Sequence, residues 1–135
     1  GLLKAVMQHL SESAIADLGE PTEDESLQEL VMGLLNRSEA AQDHWRILAR
    51  AMLDGQSPSE LQQRYPVYER LIAASRRRNS PHMTPEAITT LIMSTGLGML
   101  VFGPWIRAAT GQDSEEWANT MAQLLRRFAG GMTKE

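Results

Sequence analysis

Twenty consecutive residues without a charged side chain, Ala87 to Ile106 (AITTLIMSTGLGMLVFGPWI), constrain this 135-residue chain more than any other feature. A helix that is apolar on every side either crosses a membrane or lies buried in protein. Four Ser and Thr residues and three Gly residues lower the hydrophobicity of the segment, and Pro104 is expected to end the apolar run early. The rest of the chain consists of amphipathic segments that need such a helix to pack on. We therefore expect a helix that is buried within and across a dimer, with no membrane contact.

The composition limits the classes of function. Cysteine is absent, which excludes a disulfide framework, a thiolate metal site and a cysteine nucleophile. The formal net charge of −4 opposes broad nucleic-acid binding by this chain alone, because phosphate contacts require a surplus of Lys and Arg. Hydrophobic residues make up 42% and charged residues 22% of the chain, which is typical of a globular domain. The features of a signal peptide are missing, and we expect a cytoplasmic protein.

Capping signals divide the chain into separate helices. Ser26 begins a capping box, a serine followed three residues later by glutamate, ahead of a stripe of apolar side chains. Ser57 and Thr84 each stand before a proline, which is favoured at the first helical position. Because no segment alternates as a strand does, the fold class is predicted to be all-α, a bundle of about six to seven helices. Helices are expected in the N-terminal segment, from Ser26, from Ser38 to Asp54, from Ser57, from Pro66 to Arg78, from Thr84, and from Asp113 or Ser114 to Gly130.

The N-terminal segment predicts a helix without a cap at its start, followed by an acidic connection. Gly1 to Leu10 (GLLKAVMQHL) spaces apolar residues by three and four positions, which predicts an amphipathic helix. No Ser, Thr, Asp or Asn precedes it as a cap, so we expect this helix to continue from a segment upstream of the sequence. The acidic stretch from Gly19 to Glu25 is expected to be a solvated connection to the next helix.

Residues that carry catalysis or bind metals are scarce. His9, His44 and His82 are far apart, and no pair has the four-residue spacing of a metal site on a helix. His44 lies beside Trp45 and has two interpretations, a hydrogen-bonding group for a ligand or a partly buried structural histidine. The basic run from Arg76 to Arg78 suits the end of a helix dipole and is too short for a DNA-binding face. We predict no catalytic residue, no metal site and no cofactor.

The glycine residues of the long helix favour close packing of another helix, and the methionine content favours a cavity. Ser94 and Gly98 lie four residues apart on the long helix and form a narrow face that another helix can approach, although a kink is the alternative. Eight methionines, together with aromatic residues on or beside helices, suit an adaptable apolar cavity. The same residue types at helical spacing also form ordinary cores, so a cavity and a filled core both stay open.

Three passages resemble the C-terminal regulatory domains of TetR-type transcriptional repressors. The first, GLLKAVMQHL, is similar to the helix that directly follows the helix-turn-helix of that family. The second, HWRILARAMLDGQSPSELQQRYPVYERL (His44 to Leu71), is similar to the middle of the regulatory domain. The third, GLGMLVFGPWIRAATG (Gly96 to Gly111), resembles the penultimate helix. The resemblance implies that residues 1–135 form a ligand-sensing and dimerisation domain and that the N-terminal helix-turn-helix domain is absent from this chain.

In that family the last two helices pair with their twins across a two-fold axis as a four-helix bundle, and the preceding helices enclose a ligand cavity. The resemblance therefore implies a homodimer that responds to a small effector and contacts DNA only through the absent domain. The effector shifts the population competent to bind DNA by its difference in affinity for the two states. Two alternatives stay open, a helical dimerisation module without a ligand and a small helical enzyme.

The long helix has two apolar faces, one predicted to meet the dimer partner and one predicted to point into a cavity within each protomer. Few charged residues lie in the cavity set, so the effector is expected to be largely apolar or aromatic. The predicted dimer interface consists of Thr90, Ser94, Leu97, Gly98, Val101, Trp105, Trp117, Met121, Leu124 and Phe128. The predicted ligand site consists of Leu34, His44, Trp45, Leu48, Met52, Tyr65, Tyr68, Leu71, Ile88, Leu91, Ile92, Thr95, Met99 and Phe102, with His44 and Tyr65 as polar groups.

Overall fold

The computed structural model describes residues 1–21, 25–35, 39–78 and 80–127. Over these ranges the chain forms seven α-helices and no strand, which confirms the predicted all-α class. The predicted cap Ser38, the predicted interface residue Phe128 and the predicted helix end at Gly130 lie outside the described residues. The helices are α1 (Leu2–Leu18), α2 (Leu27–Leu35), α3 (Glu39–Leu53), α4 (Pro58–Leu61), α5 (Pro66–Arg78), α6 (Pro85–Thr110) and α7 (Ser114–Arg126).

Two predicted helix caps form as the sequence indicates. The hydroxyl of Ser26 accepts a hydrogen bond from the backbone N–H of Glu29 at 3.0 Å, at the start of α2. The hydroxyl of Thr84 accepts one from the backbone N–H of Ala87 at 3.1 Å, at the start of α6. Each bond satisfies a donor that the first turn of a helix otherwise leaves without a partner.

The caps of α7 and α4 show what the sequence left open or predicted wrongly. Asp113 caps α7, because its carboxylate accepts from the backbone of Glu116 at 2.8 Å and the side chain of Glu116 accepts in return at 3.0 Å. Ser57 precedes α4 but makes no cap bond with its side chain. Its hydroxyl instead lies 3.1 Å from that of Ser59, a local contact that competes with capping.

The chain folds as two compact units, Gly1–Leu71 and Ile72–Glu135, and the boundary falls inside α5. In the first unit α1 packs against α2, α3 and α4. The buried residues of α1 are spaced by four and three positions and form one line along the helix. The apolar core of the first unit, with every member at most 4% exposed, consists of Met7, Ala14, Leu27, Leu30, Ala51, Leu61, Val67 and Leu71.

Pro104 lies inside the long helix, and α6 continues through residues 105–110. Proline removes one backbone donor and usually breaks a helix. Here the last turns are held by Arg107, whose Nε donates to the carbonyl of Gln112 at 3.1 Å and whose Nη2 donates to the hydroxyl of Ser114 at 2.8 Å. Gly111 then closes the helix in the left-handed conformation, with φ of 70°.

α6 is long and apolar but has little buried surface. Its most apolar window has a mean hydropathy of 1.5 and the length of a membrane span, and 22% of that window is buried. The buried residues Ile88, Thr89, Ile92 and Gly103 share one side of the helix. Gly103 lies against α7, because a Cβ at that position would be 3.5 Å from the ring of Trp117.

Candidate functional site

One side of α6 presents large apolar side chains to solvent. Leu91 is 37% exposed, Phe102 is 58% exposed and Trp105 is 75% exposed. Successive residues of an α-helix are rotated by about 100°, which places these three in one sector together with three neighbours. Apolar patches of this kind mark sites where another molecule binds. The exposed α6 face is defined as Leu91, Ser94, Gly98, Val101, Phe102 and Trp105.

Small residues lie at the centre of the exposed α6 face. Ser94 is exposed, and a Cβ on Gly98 would meet no atom of the described residues within 4 Å. Packing inside the described chain therefore does not require this glycine, which costs the helix about 1 kcal/mol relative to alanine. A glycine at such a position allows the backbone of another helix to approach closely.

The predicted dimer interface overlaps the exposed α6 face at four positions, Ser94, Gly98, Val101 and Trp105. The other predicted interface residues of α6 are exposed Thr90 and half-buried Leu97, and those of α7 within the described ranges are half-buried Trp117, Met121 and Leu124. These residues are accessible to a partner, and the interface stays a prediction.

Burial along α6 differs from the predicted inward face at two positions. Ile88 is 1% exposed and Ile92 is 8% exposed, as expected for residues that point inward. Leu91 and Phe102 were assigned to the same face by hydrophobicity but are exposed. The buried side of α6 includes Thr89, a polar residue that a hydrophobic pattern does not select. The buried side is therefore rotated around the helix axis relative to the predicted inward face. Leu91 and Phe102 consequently lie beside the predicted interface residues.

A groove of about 380 Å³ lies between α6 and α7 in the second unit. Met99 and Gly103 line it from α6, and Trp117 lines it from α7. Among the described residues that line the groove, Arg107 is the one with a cationic side chain. The groove brings the predicted ligand residue Met99 together with the predicted interface residue Trp117. Thr95, one turn before Met99, is half-buried.

The predicted ligand residues of α3 differ in their surroundings. His44 is 2% exposed and stacks on Trp45, with ring centroids 4.5 Å apart and an angle of 18° between the rings. This burial favours the structural interpretation of His44. Leu48 is half-buried, whereas Met52 is 40% exposed. Within the described ranges, no group of three His, Asp or Glu side chains is arranged to hold a metal ion.

The predicted ligand residues near α5 form an aromatic pair and part of the core. Tyr65 and Tyr68 meet edge to face, with ring centroids 6.1 Å apart. Burial raises the pKa of the Tyr68 phenol, and the nearby Tyr65 raises it further. Leu71 is fully buried in the first unit. Leu34 belongs to α2, but its side chain lies outside the described part of the structure, and the ligand site as a whole stays a prediction.

Sequence reasoning missed an ion pair that joins distant segments of the first unit. Nε of Arg70 donates to both carboxylate oxygens of Glu25, at 3.1 and 3.2 Å, and Nη2 donates to one of them. Nη1 donates to the backbone carbonyl of Gly19 at 2.6 Å, just beyond the end of α1. The two side chains are 9% and 10% exposed, so the expectation that Glu25 is solvated is wrong. The pair spans 45 residues of sequence and leaves no local signal.

A second buried polar contact ties α1 to the end of α4. The side-chain amide of Gln62 donates to the hydroxyl of Ser11 at 2.8 Å and to the backbone carbonyl of Arg64 at 2.7 Å. Gln62 is 8% exposed and Ser11 is 3% exposed. Buried polar groups that are satisfied in this way hold a single arrangement of the helices.

The chain is similar to curated HTH-type transcriptional regulators. An HTH-type transcriptional regulator of Mycobacterium bovis and an HTH-type transcriptional repressor of Mycobacterium tuberculosis are each 37% identical to it over 70 residues. The match covers 52% of this chain and 37% of each relative, so the chain spans well under half of their length. No protein-family model and no solved structure matches the chain. The similarity supports a role in transcription regulation.

Proposed function

We propose that this chain is the effector-binding and dimerisation domain of a TetR-type transcriptional repressor, whose DNA-reading helix-turn-helix is formed by residues outside this sequence. Its similarity to HTH-type regulators and the three passages that resemble the family support the proposal. The observation that carries it is the exposed α6 face, an apolar surface with Ser94 and Gly98 at its centre.

A second copy of the chain is the proposed occupant of the exposed α6 face. The face has no charged residue, and α6 is 26 residues long, or about 39 Å at 1.5 Å per residue. A stable dimer buries about 800 Å² on each protomer, and a helix of this length with α7 beside it can supply that area. In a two-fold arrangement the same patch meets itself, so the small residues of one α6 would admit the backbone of the other.

In the full-length repressor, the dimer would set the spacing of two helix-turn-helix domains over a palindromic site. An apolar or aromatic effector would then change DNA binding by favouring one of two arrangements of the dimer. Because the helix-turn-helix belongs to the rest of the protein, this chain alone should not shift the mobility of palindromic DNA. Tight binding by this chain that resists moderate salt would contradict the proposal.

Sedimentation equilibrium at micromolar concentration tests the dimer with two matched variants. Gly98→Met adds a flexible side chain at the centre of the exposed α6 face, whereas Gly96→Met adds the same side chain about 160° away around the helix. A Cβ at either glycine meets no described atom within 4 Å, so both variants should fold. The wild type and Gly96→Met should be dimers and Gly98→Met a monomer. A monomeric wild type, or a dimeric Gly98→Met, would refute this interface.

Thermal-shift screening of apolar and aromatic compounds tests effector binding. A ligand at about one hundred times its dissociation constant stabilises the folded state by roughly 2.7 kcal/mol. A dimer that no compound stabilises would favour the alternative, a dimerisation module with a filled core. Binding of a compound should leave the dimer intact, since the buried ligand residues Ile88 and Ile92 lie on a different side of α6 from the exposed α6 face.

A further inference from the structure

The groove between α6 and α7 contains an arginine that forms no ion pair with a carboxylate of the described residues. Nε of Arg107 donates to the backbone carbonyl of Gln112 at 3.1 Å, and Nη2 donates to the hydroxyl of Ser114 at 2.8 Å, so both acceptors are neutral. Arg107 is half-buried. A cation that is partly withdrawn from water is stabilised by an anion that accepts its hydrogen bonds. Ion pairs with a carboxylate are formed by Arg46, Arg50, Arg64 and Arg70.

The two hydrogen bonds of Arg107 fix the orientation of its guanidinium group. They occupy the edge formed by Nε and Nη2, whereas Nη1 makes no hydrogen bond to the described residues. A guanidinium presents its N–H donors in a rigid plane, and the edge formed by Nη1 and Nη2 matches the two oxygens of a carboxylate. Arg107 lines the groove, so it is held ready for such a contact before a ligand binds.

Most of the remaining groove is apolar. Met99, Gly103, Pro104 and Ala108 line it from α6, and Trp117 lines it from α7. The ring of Trp117 lies against the backbone of α6, since a Cβ on Gly103 would be 3.5 Å from it. Aromatic ligands pack well on a tryptophan ring and on the sulfur of methionine. The volume of about 380 Å³ is within the range of small-molecule sites, about 300–1,000 Å³.

The side-chain amide of Gln112, which also lines the groove, is bonded within the chain. Its Nε2 donates to the hydroxyl of Thr110 at 2.8 Å, and its Oε1 accepts from the hydroxyl of Thr120. Arg107 therefore supplies the charge of the groove. One positive charge matches one carboxylate, whereas a phosphate monoester carries about two negative charges.

The groove and the exposed α6 face lie on different sides of α6. Met99, Gly103 and Arg107 are spaced by four positions and form one line along the helix. Trp105 belongs to the exposed α6 face and is about 160° from Gly103 around the helix axis. A ligand in the groove and a second copy on the exposed α6 face therefore contact different sides of this helix.

We propose that the groove binds a small aromatic carboxylic acid. Its carboxylate accepts hydrogen bonds from Nη1 and Nη2 of Arg107, and its ring packs on Trp117 and Met99. The groove is distinct from the predicted ligand site, with which it shares Met99. The proposal goes beyond the proposed function and depends on neither the dimer nor DNA binding, because one chain forms the whole groove.

Titrations followed by NMR test the proposal with two probes that differ in one group, 3-phenylpropanoate and 3-phenylpropanamide. The indole N–H signal of Trp117 should shift with the carboxylate, whereas that of Trp45, in the first unit, should not. The carboxylate should bind about tenfold more tightly than the amide, because hydrogen bonds between charged groups are stronger. Equal affinity for the two probes, no binding of either, or a shift of Trp45 in place of Trp117 would overturn the proposal.

Two pairs of variants separate the charge of Arg107 from the shape of the groove. Arg107→Gln should weaken binding of the carboxylate about tenfold and leave binding of the amide unchanged, while Arg126→Gln, at the exposed end of α7, should change neither. Ala108→Leu narrows the groove and should weaken binding of both probes, whereas Ala109→Leu adds the same side chain at an exposed position outside it. The second pair keeps Arg107, so it tests the groove without altering the helix end that Arg107 holds. Unchanged binding to Arg107→Gln or to Ala108→Leu would overturn the proposal.

Sedimentation equilibrium distinguishes a small molecule from a carboxylate of a second copy. Arg107→Gln should remain as dimeric as the wild type. Loss of the dimer in this variant would mean that Arg107 binds a carboxylate of the partner protomer, and would overturn the small-molecule site. Failed titrations with an intact dimer would overturn the site and leave the proposed function in place.

Discussion

In the first unit, residues 1–71, the apolar core residues are at most 4% exposed, whereas α6 of the second unit leaves Phe102 58% and Trp105 75% exposed. The first unit also joins its segments with buried polar contacts, Arg70 to Glu25 and Gln62 to Ser11. The described second unit has buried hydroxyls without partners and a groove beside Trp117.

This difference fits the proposal that other molecules cover part of the second unit, whereas the segments of the first unit are joined by buried contacts of their own. An apolar helix that leaves one side exposed within its own chain is stable in water when a partner molecule covers that side. Substitutions in the first unit should accordingly change the free energy of unfolding. Substitutions on the exposed α6 face should change association.

The largest effect is expected from Arg70→Met, which leaves the carboxylate of Glu25 largely buried without its cation. Breaking such a pair costs about 3–5 kcal/mol, and the measurement is urea denaturation of the chain. The control is Arg50→Met, because the ion pair of Arg50 with Asp54 has side chains that are 81% and 51% exposed and should contribute less than about 1 kcal/mol. Equal losses in the two variants would contradict the view that buried polar contacts stabilise the first unit.

A somewhat smaller loss, about 3 kcal/mol, is expected from Leu71→Ala. The side chain is fully buried, so the substitution removes apolar contacts and leaves a cavity. Leu53→Ala makes the same chemical change at the end of α3, where the leucine is 81% exposed, and should alter the free energy of unfolding by no more than about 0.5 kcal/mol. Thermal denaturation of both variants measures the contrast.

The sequence predicts those features of the two units that depend on neighbouring residues. The caps at Ser26 and Thr84 follow from neighbouring residues, because helix ends are decided within one turn. The role of Arg70 is not predictable in this way, since its partner Glu25 is 45 residues distant.

The orientation of α6 is predictable only in part. A hydrophobic pattern finds an apolar helix but cannot choose between two apolar sides, and the structure buries Thr89 while it exposes Phe102. Pro104 is a second example, because the contacts of Arg107 beyond the helix extend α6 past a residue that locally favours a break.

A small effect on intrinsic stability is expected from Trp105→Gln. The residue is 75% exposed, so at low protein concentration the variant should unfold within about 0.5 kcal/mol of the wild type. At high concentration a dimer raises the melting temperature of the wild type by mass action, and the variant should lose this dependence. Melting curves over a range of concentrations make the comparison. If the wild type showed no dependence on concentration, the exposed α6 face would have another occupant.

The smallest effect concerns Tyr68 and appears only in alkaline solution. Burial, with a further contribution from Tyr65, raises the pKa of the Tyr68 phenol above the ordinary value of 10.0. The folded state therefore holds this proton more tightly than the unfolded state does. The corresponding stability is fully present below pH 10.0 and is lost as the pH rises through the folded-state pKa.

Urea denaturation at about pH 9 and about pH 11 should show that the free energy of unfolding falls at the higher pH. Tyr68→Phe should reduce this fall, because phenylalanine has no phenol to ionise. Tyr65→Phe should keep most of the raised pKa of Tyr68, since burial is the larger cause, and absorbance titration of tyrosinate measures it. If the pKa of the Tyr68 phenol were the same as in a peptide, water would reach this part of α5. The side chains around Tyr68 would then be less buried than the core residues of the first unit indicate.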